Sequence, residues 1–182
     1  MEELTALKEI LNYERPIDWD SLPDIELYMD QVLTYMPRQQ VAYNQEMHLT
    51  SSMINNYIKE GLLSRANGKK YSREHLAYLT IVCVLKQVLT VKDIAVLLNQ
   101  ESLKKETPDL YRTFNETLDF TLSQTAEYLS ESAEAVKDLS QIALNMAIAS
   151  YANKLACERI IDIIRQETEE VSDSDKKDKS KK

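Results

Sequence analysis

The chain has 182 residues, with two glycines, four prolines, two cysteines and a formal net charge of −8. That length fits one domain, or one domain with a small appendage. The charge excludes bulk affinity for nucleic acid, and no apolar run approaches the roughly 18 residues that a membrane span requires.

The N-terminal stretch MEELTALKEI has neither a basic n-region nor a signal-type apolar core, so a cytoplasmic protein is expected. Cys83 and Cys157 have apolar neighbours and read as buried free thiols in a reducing compartment. Few breakers and abundant Leu, Ile, Ala, Glu and Lys predict an all-α fold.

In chain order, residues 1–12 form a short helix with Leu4, Leu7 and Leu11 on one stripe. A connector follows, and residues 1–22 are read as one N-terminal segment. Pro23-Asp24 opens a helix to about Met36, with Ile25, Leu27, Tyr28, Val32 and Leu33 as its apolar set. Residues 38–49 read as loop. Thr50, Ser51 or Ser52 caps the next helix, which runs to Glu60.

Both glycines follow within eight residues. Gly61 stands where a left-handed residue ends a helix. Asn67-Gly68 is a tight-hairpin dipeptide, because both residues tolerate positive φ. Ser72 caps a buried helix to about Val88, with Tyr71 and Leu76 at hydrophobic-staple positions. Thr90, with Asp93 three residues on, opens another helix ending near Asn99.

After a polar joint, the chain reads as helix from Pro108 to about Glu169, with a break near Leu129–Ala133. Val136, Leu139, Ala143, Met146, Ser150, Asn153, Cys157, Ile160 and Ile164 follow three- and four-residue steps. They make a heptad-like seam with small and polar members in its middle. Residues 169–182 have almost no apolar side chain and read as a disordered tail.

Charge is distributed unevenly. Residues 1–49 carry three basic and ten acidic side chains, whereas residues 50–92 carry seven basic and two acidic. A positive island between acidic flanks is the electrostatic footprint of a local anion contact.

The ordered set over Leu49–Leu98 resembles the winged helix-turn-helix of MerR-type transcription regulators. The frame reads Tyr57-Ile58-Lys59-Glu60-Gly61-Leu62-Leu63, then Gly68-Lys69-Lys70-Tyr71-Ser72, then His75-Leu76 with Leu79 and Val82. It closes on Thr90-Val91-Lys92-Asp93-Ile94 with Leu97-Leu98. Asn55 and Asn56 stand where those regulators usually carry Arg and an aromatic residue. From about Leu22 onward, through LPDIELYMDQV, TSSMINNYIKEGLL, KKYSREHL and LKQVLTVKDI, the chain is also similar to a bacterial domain family of unknown function with such a core.

The resemblance implies a winged helix-turn-helix domain over 23–99, with a minimal β-hairpin wing, followed by a helical dimerisation region over 100–168. It implies a transcriptional regulator that binds duplex DNA as a homodimer. The recognition helix would be 51–60 and the basic wing 64–72. Ser51, Ser52, Asn55, Asn56, Tyr57 and Lys59 are the candidate contacts on the helix, and Arg65, Lys69, Lys70 and Arg73 those on or beside the wing. Asn pairs bidentately with adenine, and basic side chains meet phosphate. The candidate dimer contacts are Val136, Leu139, Ala143, Met146, Ile160 and Ile164.

No effector motif carries over, and no cofactor is expected. His48 and His75 are isolated, and no paired-carboxylate, Cys–His or phosphate-loop pattern stands at usable spacing, which argues against an enzyme. The alternatives are a protein-interaction module on the same scaffold without DNA binding, and a small-molecule site in the helical half.

Overall fold

The computed structural model describes residues 2–39, 41, 49–136 and 138–179, with side chains excepted at 133–136 and 171–179. The described residues are mostly helical, with one two-stranded antiparallel sheet. The helices are α1 (Glu2–Tyr13), α2 (Met29–Tyr35), α3 (Ser51–Lys59), α4 (Arg73–Leu85), α5 (Val91–Ser102), α6 (Thr107–Val136) and α7 (Leu139–Lys179).

The expected stripe of α1 is half-buried, and the helix lies along α6. The connector after it is tied down by polar contacts. Arg15 pairs with Asp119 and reaches Ser123 Oγ at 3.2 Å. Tyr111 Oη donates to the Ile17 carbonyl at 2.8 Å, and buried Gln39 accepts the Ile17 N–H at 3.0 Å.

The helix expected from Pro23 starts six residues later. Leu27–Tyr28 is a strand, β1, paired antiparallel with β2 (Lys70–Tyr71) in the register Leu27↔Tyr71 and Tyr28↔Lys70. That pairing buries Leu27 and Tyr71 and overrides the local helix-start signal. Tyr28 then becomes the cap of α2, its N–H donating to Gln31 Oε1 at 2.8 Å.

The signals around α3 hold. Thr50 accepts the Met53 N–H at 3.2 Å. At the other end Gly61 has φ +75°, Leu62 N–H reaches the Tyr57 carbonyl at 2.9 Å, and Gly61 N–H reaches that of Ile58 at 3.2 Å. These two bonds are a Schellman ending, which satisfies carbonyls that the helix leaves free. Tyr71 and Leu76 are both buried, as the staple requires.

The core gathers Ile54, Tyr57, Leu62 and Leu63 around the nearly all-round buried α4. Ile94 and Leu98 of α5 close one side. Leu110, Tyr111 and Ile161 belong to the same core, so the packing continues past residue 99 into α6 and α7.

The break expected near Leu129–Ala133 is not there: α6 runs unbroken to Val136 and α7 begins at Leu139, with Ala126 and Leu129 buried where the two helices pack. Asp138 caps α7 by accepting the Ser140 N–H at 3.0 Å. The α7 backbone stays helical through Lys179, past residue 169 where the sequence reading places a tail. No Gly or Pro interrupts it there. Cys83 is buried and Cys157 half-buried, and the two are not joined in a disulfide.

Candidate nucleic-acid interface

Helix α3 is nine residues long, roughly 13 Å at 1.5 Å per residue. Ile54 and Tyr57 are buried on its inner side. The opposite side therefore presents Ser51, Ser52, Asn55, Asn56 and Lys59 to solvent. No acidic side chain lies on α3. Among the described residues, these five spend no side-chain hydrogen bond on the protein. A row of small hydroxyls and amides beside a lysine suits base edges and phosphates.

Tyr57 does not share that row. Its side chain is 2% exposed, and its hydroxyl finds no hydrogen-bond partner. Burial, with a smaller contribution from Cys83, pushes its pKa up to about 12. The expected contact at Tyr57 is corrected to a core residue.

The basic turn is tight. Asn67 N–H donates to the Lys70 carbonyl at 3.1 Å, and Lys70 N–H returns to that of Asn67 at 2.9 Å. Gly68 has φ +54° and Lys69 φ +70°. Positive φ at both central residues makes this a type I′ turn centred on Gly68-Lys69, one residue later than the Asn67-Gly68 centre that the sequence suggests. Lys69 is thereby held at an exposed tip in a conformation that costs any residue but glycine.

The other basic residues divide. Arg65 is exposed. Lys70 is half-buried, and its Nζ lies 5.6 Å from the centroid of the Tyr28 ring on the paired strand. Arg73 is half-buried with its guanidinium 5.7 Å from the Trp19 ring centroid, and its buried Nε has no partner. Like Lys70, Arg73 thus sets its cation against an aromatic ring, here one of the connector. The wing also differs from a self-contained hairpin, since β2 takes its sheet partner from residues 27–28.

Beneath the turn, His75 joins its two ends. Its Nε2 is 3.0 Å from Ser64 Oγ, and its Nδ1 accepts the Ser72 N–H at 3.0 Å. An accepting Nδ1 means a neutral ring, and burial holds its pKa below the ordinary value. This clasp escaped the sequence reading, although a histidine three residues after a capping serine was its visible signal.

The expected dimer seam divides as well. Met146 and Ile164 are half-buried on the side of α7 where Ile142 and Ile161 are buried. That side packs within the chain, against α6 and α5. Leu139, Ala143 and Ile160 are exposed, and the Val136 side chain lies outside the described residues. A second strip went unread. Leu144, Ile148, Tyr151 and Leu155 are 54–68% exposed. Their 4-3-4 spacing places them within about 60° of one another, facing away from Met146 and Asn153.

Among the described residues, no group of three or more His, Cys, Asp or Glu is placed to hold a metal, and His48 lies outside them. No helix among them is long and apolar enough to cross a membrane.

A family model described as a domain of unknown function, DUF1836, matches residues 17–117, which span the connector, the candidate interface and the first third of α6. No curated protein and no solved structure matches the chain.

Proposed function

The chain belongs to the DUF1836 family, and we propose that it is a transcriptional regulator that binds duplex DNA with a MerR-like winged helix-turn-helix. In this reading α3 enters the major groove, with Asn55 and Asn56 facing base edges and Ser51, Ser52 and Lys59 toward the backbone. Lys69 and Arg65 meet phosphate, and Lys70 assists from above Tyr28.

One observation carries the reading. The exposed side of α3 holds unpaired polar side chains and a lysine, and a strained lysine stands at the tip of the turn that follows. Residues 51–73 carry five basic side chains and one acidic, in a chain of net charge −8. Local positive charge in a repelling background favours one binding geometry over general adhesion to DNA.

The regulator acts as a homodimer through α7. The pairing face is the strip Leu144, Ile148, Tyr151 and Leu155. Antiparallel pairing sets Leu144 on the partner's Leu155 and Ile148 on the partner's Tyr151. Gln141 then meets the partner's Glu158, and Arg159 approaches the partner's Asp138. Parallel pairing would stack Glu158 on its own copy and set Lys154 beside the partner's Arg159, so charge selects the antiparallel arrangement. Ala147 and Ala152 beside the strip allow close approach.

Selection of bound fragments from a random duplex library tests this reading. An enriched, twofold-related sequence is expected. Recovery of no enriched sequence would return the chain to the alternative, a protein-interaction module on the same scaffold.

A further inference from the structure

The α6–α7 hairpin is well packed at both ends and not in between. Ala126, Leu129 and Ile142 are buried near its turn, and Leu110, Tyr111 and Ile161 are buried at its base. Between them a cavity of about 420 Å³ opens, within the usual range for small-ligand sites. Its walls hold Thr, Gln, Asn, Ser and Tyr side chains with Met146 and Ala149, and no charged residue.

Polar residues facing the seam of a helix pair ordinarily either hydrogen-bond across it or lie in water on its rim. Here they do not bond across it: of the nine lining residues Thr125 and Met146 are half-buried and the other seven are exposed, so the cavity is an open-sided cleft. Thr121, Thr125 and Ser150 donate back to carbonyls of their own helices, at 2.8 Å each. Asn145 is engaged by Gln141 of its own helix. Among the described residues, no side-chain hydrogen bond joins the α6 wall to the α7 wall. Among the described residues, the amide of Asn153 and the hydroxyl of Tyr128 make no side-chain hydrogen bond at all. The hydroxyls that have donated still offer oxygen lone pairs to the cavity.

We propose that this cavity is a binding site for a small uncharged ring compound with several hydrogen-bonding groups, a nucleoside or free nucleobase being the class that fits best. An apolar wall at Met146 and Ala149, an aromatic ring at Tyr128 and a free amide at Asn153 supply stacking surface and a paired donor and acceptor. The uncharged lining gives phosphates, carboxylates and metal ions no counter-charge. The site lies on the opposite side of α7 from the proposed pairing strip and does not depend on the DNA reading.

The test is thermal melting and titration calorimetry of the full chain with adenosine, guanosine, cytidine, uridine and their free bases. Neutral aldoses and the nucleoside monophosphates form separate arms. At least one nucleoside or base should raise the melting temperature and bind at sub-millimolar concentration, and its monophosphate should bind about tenfold more weakly through repulsion by the acidic chain. Ser150→Leu, which fills the cavity, and Asn153→Ala should each abolish binding while the unliganded protein melts as before or higher. If Ser150→Leu unfolds the chain, Asn153→Ala decides alone. The proposal is overturned if no neutral base or nucleoside binds at millimolar concentration, if only aldoses bind, or if binding survives both substitutions.

Discussion

His75 Nε2 and Ser64 Oγ stand 3.0 Å apart, and this contact closes the base of the basic turn. Ser64 precedes the turn and Ser72 follows it, so one neutral imidazole holds both of its ends. Burial lowers the His75 pKa against the raising influence of the Ser64 and Arg65 backbone, Glu74 and Glu26. Tyr71 packs edge-on against the ring. A depressed folded-state pKa means that the contribution is fully present above the unfolded value of 6.5 and is lost as pH falls through the folded value. Urea midpoints should therefore fall as the pH drops below about 6.5, and His75→Gln should flatten that slope. An unchanged slope in the variant would remove His75 from this role.

Lys69 carries a conformational cost at φ +70°. Lys69→Gly should stabilise the fold by about 0.5–1 kcal/mol in urea unfolding. The same change should weaken duplex binding on all sequences alike, because phosphate contacts carry no base information. Stabilisation without loss of binding would mean that the turn does not touch DNA.

At Gly61 the cost runs the other way. Nothing lies within 4 Å of a Cβ built there, so backbone strain alone opposes a side chain at φ +75°. Gly61→Val should cost roughly 1–3 kcal/mol and Gly61→Asn distinctly less. Equal melting temperatures for both variants and the parent would contradict the helix ending described for α3.

Tyr57 separates core from contact. Its hydroxyl is buried without a partner, so Tyr57→Phe should change stability by less than about 1 kcal/mol, in either direction. Duplex binding should be unchanged. Asn55→Ala and Asn56→Ala should instead alter sequence preference, each by about 1–3 kcal/mol at the base concerned. A large binding loss in Tyr57→Phe would restore the tyrosine to the interface.

The pairing strip yields a test of direction. Ile148→Glu should give a monomer in sedimentation velocity at tens of micromolar. Arg159→Glu should weaken an antiparallel dimer by facing the partner's Asp138, whose carboxylate its bonds with Ser140 and Gln141 hold below the usual range. In a parallel dimer the same change would strengthen pairing, through the partner's Lys154. Lys154→Glu should leave the antiparallel dimer nearly unaffected.

Local signals were legible where a few neighbouring residues decide the outcome. The Thr50 cap, the Gly61 stop and the Tyr71–Leu76 staple need only short-range geometry. Strand Leu27–Tyr28 was not legible, because its partner lies more than forty residues away and two residues carry no periodic pattern. The exposed side of α3 followed from the spacing of Ile54 and Tyr57, whereas the approach of Arg73 to Trp19 depends on a connector with no local relation to it. On α7 both sides carry apolar residues at helical spacing. Only the packing of α6 and α5 against one side shows which strip is left for a partner.

The central claim is that the side of α3 opposite Tyr57 and the turn at Lys69 bind duplex DNA. Fluorescence anisotropy of a labelled duplex, carrying the region upstream of the chain's own coding sequence and titrated with the full chain, tests it most directly. Binding is expected at about 50 mM salt, weakening on the order of 10³-fold by about 200 mM as a dimer's six or more phosphate contacts release counterions. No rise in anisotropy at low salt, on that duplex or on a random pool, would contradict the account.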